Sequence, residues 1–257
     1  KVQTSLIESG DTEYGTRKQY RIVFSSKYKE VVLNALVYLP KTIKKPVPLF
    51  LGLNFRGNHT VSPDKEIIIT KAWVRPGKGI INNCATEDGR GTSSSRWDIQ
   101  QILSNGYGLV TAYYGEIDPD FDDNFKNGIY ELLGSNRKQK PDSGGSIDAW
   151  AWGLSRLMDF IHTQPAFDKN RIIVLGHSRL GKTALWAGAK DQRIALVISN
   201  NSGCGGAAIS RRCFGETIKR INTSFPHWFC KNYSKYNEQE EKCIVDQHSL
   251  LSLIAPR

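Results

Sequence analysis

The apolar positions of this chain fall into short runs, and their period changes along the sequence. Tyr20 to Phe24 and Val31 to Leu39 are rich in β-branched and aromatic residues and predict strands, the second leading into a turn region from Pro40 to Pro48. Pro48 to Phe55 predicts a buried strand that opens into Arg56-Gly57-Asn58-His59, and Gly108 to Tyr114 predicts another, preceded by a helix over Asp98 to Ser104. Residues 62 to 96 follow neither period and are rich in Gly, Asn and Ser. They predict a long loop, and ordered loops of that length in compact domains tend to carry function. Ile147 to Thr163 repeats its apolar residues at helical spacing and leads into a strand at Arg171 to Leu175. Ile194 to Ser199 reads as a further buried strand and His248 to Ala255 as a helix, with Pro256-Arg257 expected to introduce one more strand. Strands alternating with helices imply an α/β class with a mostly parallel sheet. With no internal repeat and no linker, one domain over 1–257 is expected.

The strand at Arg171 ends abruptly in Gly176-His177-Ser178-Arg179-Leu180-Gly181-Lys182, and a helix-forming stretch follows at once. A serine between such a strand and helix sits on a tight turn with its hydroxyl at the end of the sheet, the nucleophile elbow of α/β-hydrolases. The usual spacing is G-x-S-x-G; here Gly181 comes one residue late and Leu180 takes its place. The helix starting there can turn its first amides toward a developing oxyanion. The amide of Arg179 belongs to that oxyanion hole, and its guanidinium can reinforce it. Lys182, one turn further on the same side, reads either as a solvated helix lysine or as a contact for an anionic or hydroxylated substrate.

Charge changes the picture little. The net charge of +10 would suit nucleic acid or an acidic polysaccharide, but Lys41, Lys44 and Lys45 form the only tight basic cluster before the last third of the chain. No nucleic-acid motif accompanies them, so solvation is the expectation and no nucleic-acid partner is assigned. No run approaches the 18 or so apolar residues of a membrane span. The five cysteines, Cys84, Cys204, Cys213, Cys230 and Cys243, contain no C-x-x-C pair, which argues against zinc; Cys230 and Cys243 could pair under oxidising conditions. Asp118-Pro119-Asp120-Phe121-Asp122-Asp123 lacks the glycine and distal glutamate of a calcium loop and reads as a helix-capping segment. These residues therefore predict neither a zinc nor a calcium site.

A serine esterase also needs a histidine base and a carboxylate to orient it. After Ser178 only His227 and His248 remain. Asp246-Gln247-His248 opens a helix, where near-adjacent residues rarely serve as acid and base of one triad, so a cap or loop role is expected. His227 lies in the aromatic stretch Phe225-Pro226-His227-Trp228-Phe229 and reads as core or pocket wall, while His177 would point away from the elbow.

With these residues in view, the chain resembles the glucuronoyl esterases of carbohydrate esterase family 15, especially their bacterial branch. The likeness runs from about Leu33 onward. It rests on Gly52-Leu53-Asn54-Phe55-Arg56-Gly57-Asn58-His59-Thr60, on Ala112 to Asp120, on Gly176 to Lys182, on Ser202-Gly203-Cys204-Gly205-Gly206-Ala207-Ala208, on Arg211 to Glu216, and on Asp246-Gln247-His248 to Ala255-Pro256-Arg257. The resemblance implies an α/β-hydrolase fold, a three-layer αβα sandwich expected to lack its last strand and helix here. It implies cleavage of glucuronic or 4-O-methyl-glucuronic acid esters in plant cell-wall glucuronoxylan, by a secreted or periplasmic monomer. Carried over by position, Ser178 is the nucleophile, Arg179 the oxyanion stabiliser, and Lys182 and Glu216 contact the sugar hydroxyls. Asn201 stands where many members have the triad carboxylate, so the acid and the family histidine are expected downstream of Arg257. An acetylxylan esterase and a non-catalytic carbohydrate-binding derivative are the alternatives.

Overall fold

Strict alternation along the strands sends the apolar residues of this chain to both faces of one sheet. The computed structural model describes residues 1–134 and 140–257. In chain order the strands are β1 (Val2–Asp11), β2 (Gly15–Ser25), β3 (Glu30–Pro40), β4 (Val47–Asn54), the two-residue pair β5 (Ile80–Ile81) and β6 (Cys84–Ala85), β7 (Gly108–Tyr113), β8 (Phe167–His177) and β9 (Leu196–Asn200). The helices are α1 (Ile99–Ser104), α2 (Ser146–His162), α3 (Arg179–Lys190), α4 (Ile218–Ser224) and α5 (Gln247–Ser252).

Seven strands form a mixed sheet in the order β1-β2-β3-β7-β4-β8-β9. Only β1 and β3 oppose the other five, because β1–β2, β2–β3 and β3–β7 pair antiparallel while β7–β4, β4–β8 and β8–β9 pair parallel. The register sets Leu51 beside Val110 on one side and Val174 on the other. On one face Leu33, Ala35, Val37, Leu49, Leu51, Val110, Ile172 and Val174 pack with Trp150, Leu154 and Leu157 of α2 and Ala184 and Ala187 of α3. On the other face Leu36, Tyr38 and Leu109 pack with Leu103 of α1 and Trp97. Each fully buried valine, leucine or isoleucine among them contributes roughly 1.5–3 kcal/mol.

Most predicted elements are present to within a few residues. Strand β1 was not expected from the sequence, and its side chains show why: residues 2–7 are exposed on both faces, so no alternation marks them. The loop over 62–96 contains the short β5–β6 hairpin and single-turn helices, and it buries Val74 fully.

Local chemistry fixes the helix ends. Asp98, Thr217 and Asp246 cap α1, α4 and α5 by accepting backbone amides. At the far end of α3, the Arg257 guanidinium donates to the carbonyls of Gly188, Asp191, Ile194 and Leu253 at 2.9–3.2 Å. A cation there also suits the negative end of the helix dipole. Among the described residues no helix is long and apolar enough to cross a membrane.

Candidate active site

The carboxyl ends of β4, β7 and β8 deliver Phe55, Tyr114 and Ser178 to one edge of the sheet, where open α/β sheets place their ligands. Ser178 occupies the turn between β8 and α3 with φ 55° and ψ −124°, a left-handed conformation that costs an L-residue of order 1–3 kcal/mol. Its amide donates to Asn200 O at 2.9 Å, which ties the turn to β9. A Cβ on Gly176 would lie 1.9 Å from Leu180 O, so the strand can meet the helix this closely only with glycine there. The late glycine of the motif also has a cause. Leu180 is buried in the core, whereas a Cβ on Gly181 would stand 3.0 Å from Asn200 O, so position 181 is the one that packs against β9. No side chain caps α3, and the first amides of the helix to meet a backbone acceptor are those of Gly181 and Lys182, both on Ser178 O.

Arg179 does not project freely from this turn. Its Nη1 donates to Asp120 Oδ2 and lies 3.4 Å from the Tyr114 hydroxyl. The guanidinium sits 5.0 Å over Trp228, 5.7 Å over Phe225 and 5.8 Å over Phe55. Phe225 and Trp228 themselves stack at 3.7 Å. The Nε–H of Arg179 is buried with no acceptor.

Asp120 is the residue that sequence reasoning missed. Its carboxylate is fully buried and accepts from Trp228 Nε1 at 2.8 Å, His227 Nε2 at 2.9 Å, Tyr114 Oη at 3.0 Å and Arg75 Nη1 at 3.2 Å, besides Arg179. Burial alone would raise its pKa, yet the bond from His227, the charge of Arg179 and the bond from Trp228 hold it well below the usual carboxylate range. Two residues earlier, burial pushes the Asp118 carboxyl well above that range. The helix-capping role expected for this segment is not what the structure shows: Asp123 accepts the amides of Lys126 and Asn127 in a turn and caps no helix. The loop over 62–96 supplies Arg75 to the cluster. His227 is buried as expected, and it offers Asp120 its Nε2, the reverse of the ring orientation in a Ser-His-Asp triad.

Lys182 is no solvated helix lysine. It is buried, and its ammonium donates to Ser202 O, to Cys204 O at 2.7 Å and to Glu216 Oε2 at 3.5 Å. Burial lowers its pKa, against the opposing charge of Glu216. Glu216 itself is 38% exposed, so the pair joins a buried cation to an accessible acceptor. Of the other candidates, Asn201 is exposed at φ 47° immediately beyond β9. Asp246 is buried and accepts the amides of Ser210, Arg211 and Gln247, while His248 is exposed, so the two form no acid–base pair. His177 meets Asn200 Nδ2 at 3.0 Å through its Nδ1. All five cysteines, Cys230 and Cys243 included, are free thiols.

A mixed sheet with a strained serine at the parallel strand–helix turn defines the α/β-hydrolase class. A family model described as "Glucuronyl esterase, fungi" matches residues 98–257, and the chain belongs to that family. Carbohydrate esterase MZ0003, from an unknown prokaryotic organism, is 53% identical over 94% of this chain and 56% of its own length. The 4-O-methyl-glucuronoyl methylesterase of Hypocrea jecorina is 37% identical over 50% of this chain and 29% of its own. The solved glucuronoyl esterase from Solibacter usitatus superposes with a TM-score of 0.91 at 42% identity, over all of this chain and 66% of that structure. The chain thus spans about half the length of the first of these curated relatives.

Proposed function

We propose that the protein is a serine carboxylesterase that cleaves esters of glucuronic and 4-O-methyl-glucuronic acid, of the kind joining glucuronoxylan to lignin in plant cell walls. In this reading it is a secreted or periplasmic monomer that needs no cofactor. Ser178 Oγ attacks the ester carbonyl, its proton passes to a histidine base, and the alcohol leaves an acyl-enzyme that water hydrolyses. The first amides of α3 and the Arg179 guanidinium stabilise the oxyanion of both tetrahedral intermediates. Lys182 and Glu216 read the hydroxyls of the uronic acid ring.

One observation carries the reading: a strained serine stands beside an arginine whose buried Nε–H has no acceptor. The positive charge of that arginine, held next to the serine, would stabilise an oxyanion formed there. The names of the relatives support the substrate class, and the Lys182–Glu216 pair favours a uronate over an acetylated sugar. The test is Ser178→Ala in the full-length protein, assayed on methyl glucuronate and on acetylated xylan. Loss of turnover on methyl glucuronate with the fold intact is expected. Activity within about tenfold of the parent overturns the assignment, and a stronger preference for acetylated xylan moves the substrate class to the acetylxylan alternative.

A further inference from the structure

We propose that Asp120 is a positioning residue for catalysis, one that fixes the Arg179 guanidinium beside the Ser178 turn before substrate arrives. The proposal rests on the reading of Arg179 as the oxyanion stabiliser.

Electrostatic stabilisation accelerates a reaction to the extent that the charge is already in place when the transition state forms. A long arginine side chain carries much rotamer entropy, so a freely moving one would have to lose it at that moment. Here it is lost on folding. Asp120 draws Nη1, the Tyr114 hydroxyl lies 3.4 Å from the same nitrogen, and Phe55, Phe225 and Trp228 bound the guanidinium.

Asp120 is suited to the task because it is saturated. Two bonds reach Oδ1, from His227 and Trp228, and three reach Oδ2, from Tyr114, Arg75 and Arg179. A carboxylate offers about four lone-pair sites, so this one cannot swing to follow a partner or accept water. The charges also favour an anion. Arg75 and Arg179 bring two positive charges to a single carboxylate, which leaves a surplus positive charge at the serine. Arg75 is 43% exposed, so solvent screens it, and the surplus resides chiefly on Arg179 at 18% exposure.

A purely structural Asp120 would instead knit the loop over 62–96, the end of β7 and the 225–228 segment together without regard to Arg179. A double-mutant cycle on methyl glucuronate in the full-length protein separates the two. Asp120→Asn keeps the shape and removes the charge; the expectation is a fall in kcat of roughly 100-fold with KM changed less than about threefold. In an Arg179→Ala background the same substitution should cost less than about threefold more, because nothing is left to position. Equal losses in the two backgrounds overturn the proposal. Should Asp120→Asn fail to fold, His227→Leu tests the same relation by removing one donor and leaving the Asp120 charge. It should lower kcat by about 3–10-fold in the parent and not at all beside Arg179→Ala, and equal losses again overturn it. The underlying reading fails separately, if Arg179→Ala alone keeps activity within about threefold of the parent.

Discussion

The Lys182 ammonium stands 3.5 Å from the Glu216 carboxylate while two of its donors hold the carbonyls of Ser202 and Cys204. One side chain therefore both closes the 202–204 loop and faces the acid that would meet the sugar. The two partners consequently answer different questions when changed.

Glu216→Gln should raise KM for glucuronoyl esters by about 10–100-fold, the equivalent of losing one charge-assisted hydrogen bond, and leave aryl acetate hydrolysis near the parent rate. Lys182→Met should harm both substrates and also lower the melting temperature, because it strands two buried carbonyls. Parallel steady-state assays on the two esters check this. An equal loss on both with Glu216→Gln would give the acid a structural role.

The backbone at Ser178 makes a second expectation. Ser178→Gly should abolish turnover and at the same time stabilise the fold by about 1–3 kcal/mol, since glycine adopts φ 55° without strain. Chemical denaturation of the two proteins measures it, and a destabilised Ser178→Gly would show that the turn stores no strain.

Asn201 is exposed and bends away beyond β9, so Asn201→Ala should keep kcat within about tenfold of the parent while Ser178→Ala does not. A loss equal to that of Ser178→Ala would mean that the amide itself orients the base.

His59 yields a pH dependence. Both its ring nitrogens are buried without partners, and burial together with the charge of Arg90 lowers its pKa from 6.5 to about 4. Between those values the unfolded chain binds a proton that the folded one refuses, so stability falls as pH drops from about 6.5 to 4, by roughly 3 kcal/mol from this group. Denaturant unfolding at several pH values should show a flatter acid limb for His59→Gln than for the parent. Parallel curves would place the titration elsewhere.

The elbow was legible because it carries a local signature: a buried apolar run, two glycines forced by close approach, and a serine between them. Strands β3, β4 and β7 were legible for the same reason, each having at least one buried face. Strand β1, exposed on both faces over residues 2–7, had no such mark. Asp120 was illegible for another reason. Its donors come from residues 75, 114, 179, 227 and 228, and no spacing within Asp118 to Asp123 says which of its carboxylates turns inward. Asp118 and Asp120 are both buried; what separates them is the set of donors around Asp120, and most of those come from distant parts of the chain. The same limit hid the role of Arg75, although the loop that bears it was marked by its length alone.

Helix α3 is pinned at both ends, by the Ser178 amide on Asn200 O and by Arg257 on the carbonyls of Gly188 in its last turn and of Asp191 and Ile194 just beyond it. Mechanically it is a beam with no free end. A serine mounted on such a beam has almost no recoil, so the distance between nucleophile and carbonyl has to be closed by the substrate. If Ser178 and the Lys182–Glu216 pair act as proposed, selectivity becomes a matter of how well an ester can be pushed toward a stationary target, which would give the sugar contacts leverage over rate as well as over affinity.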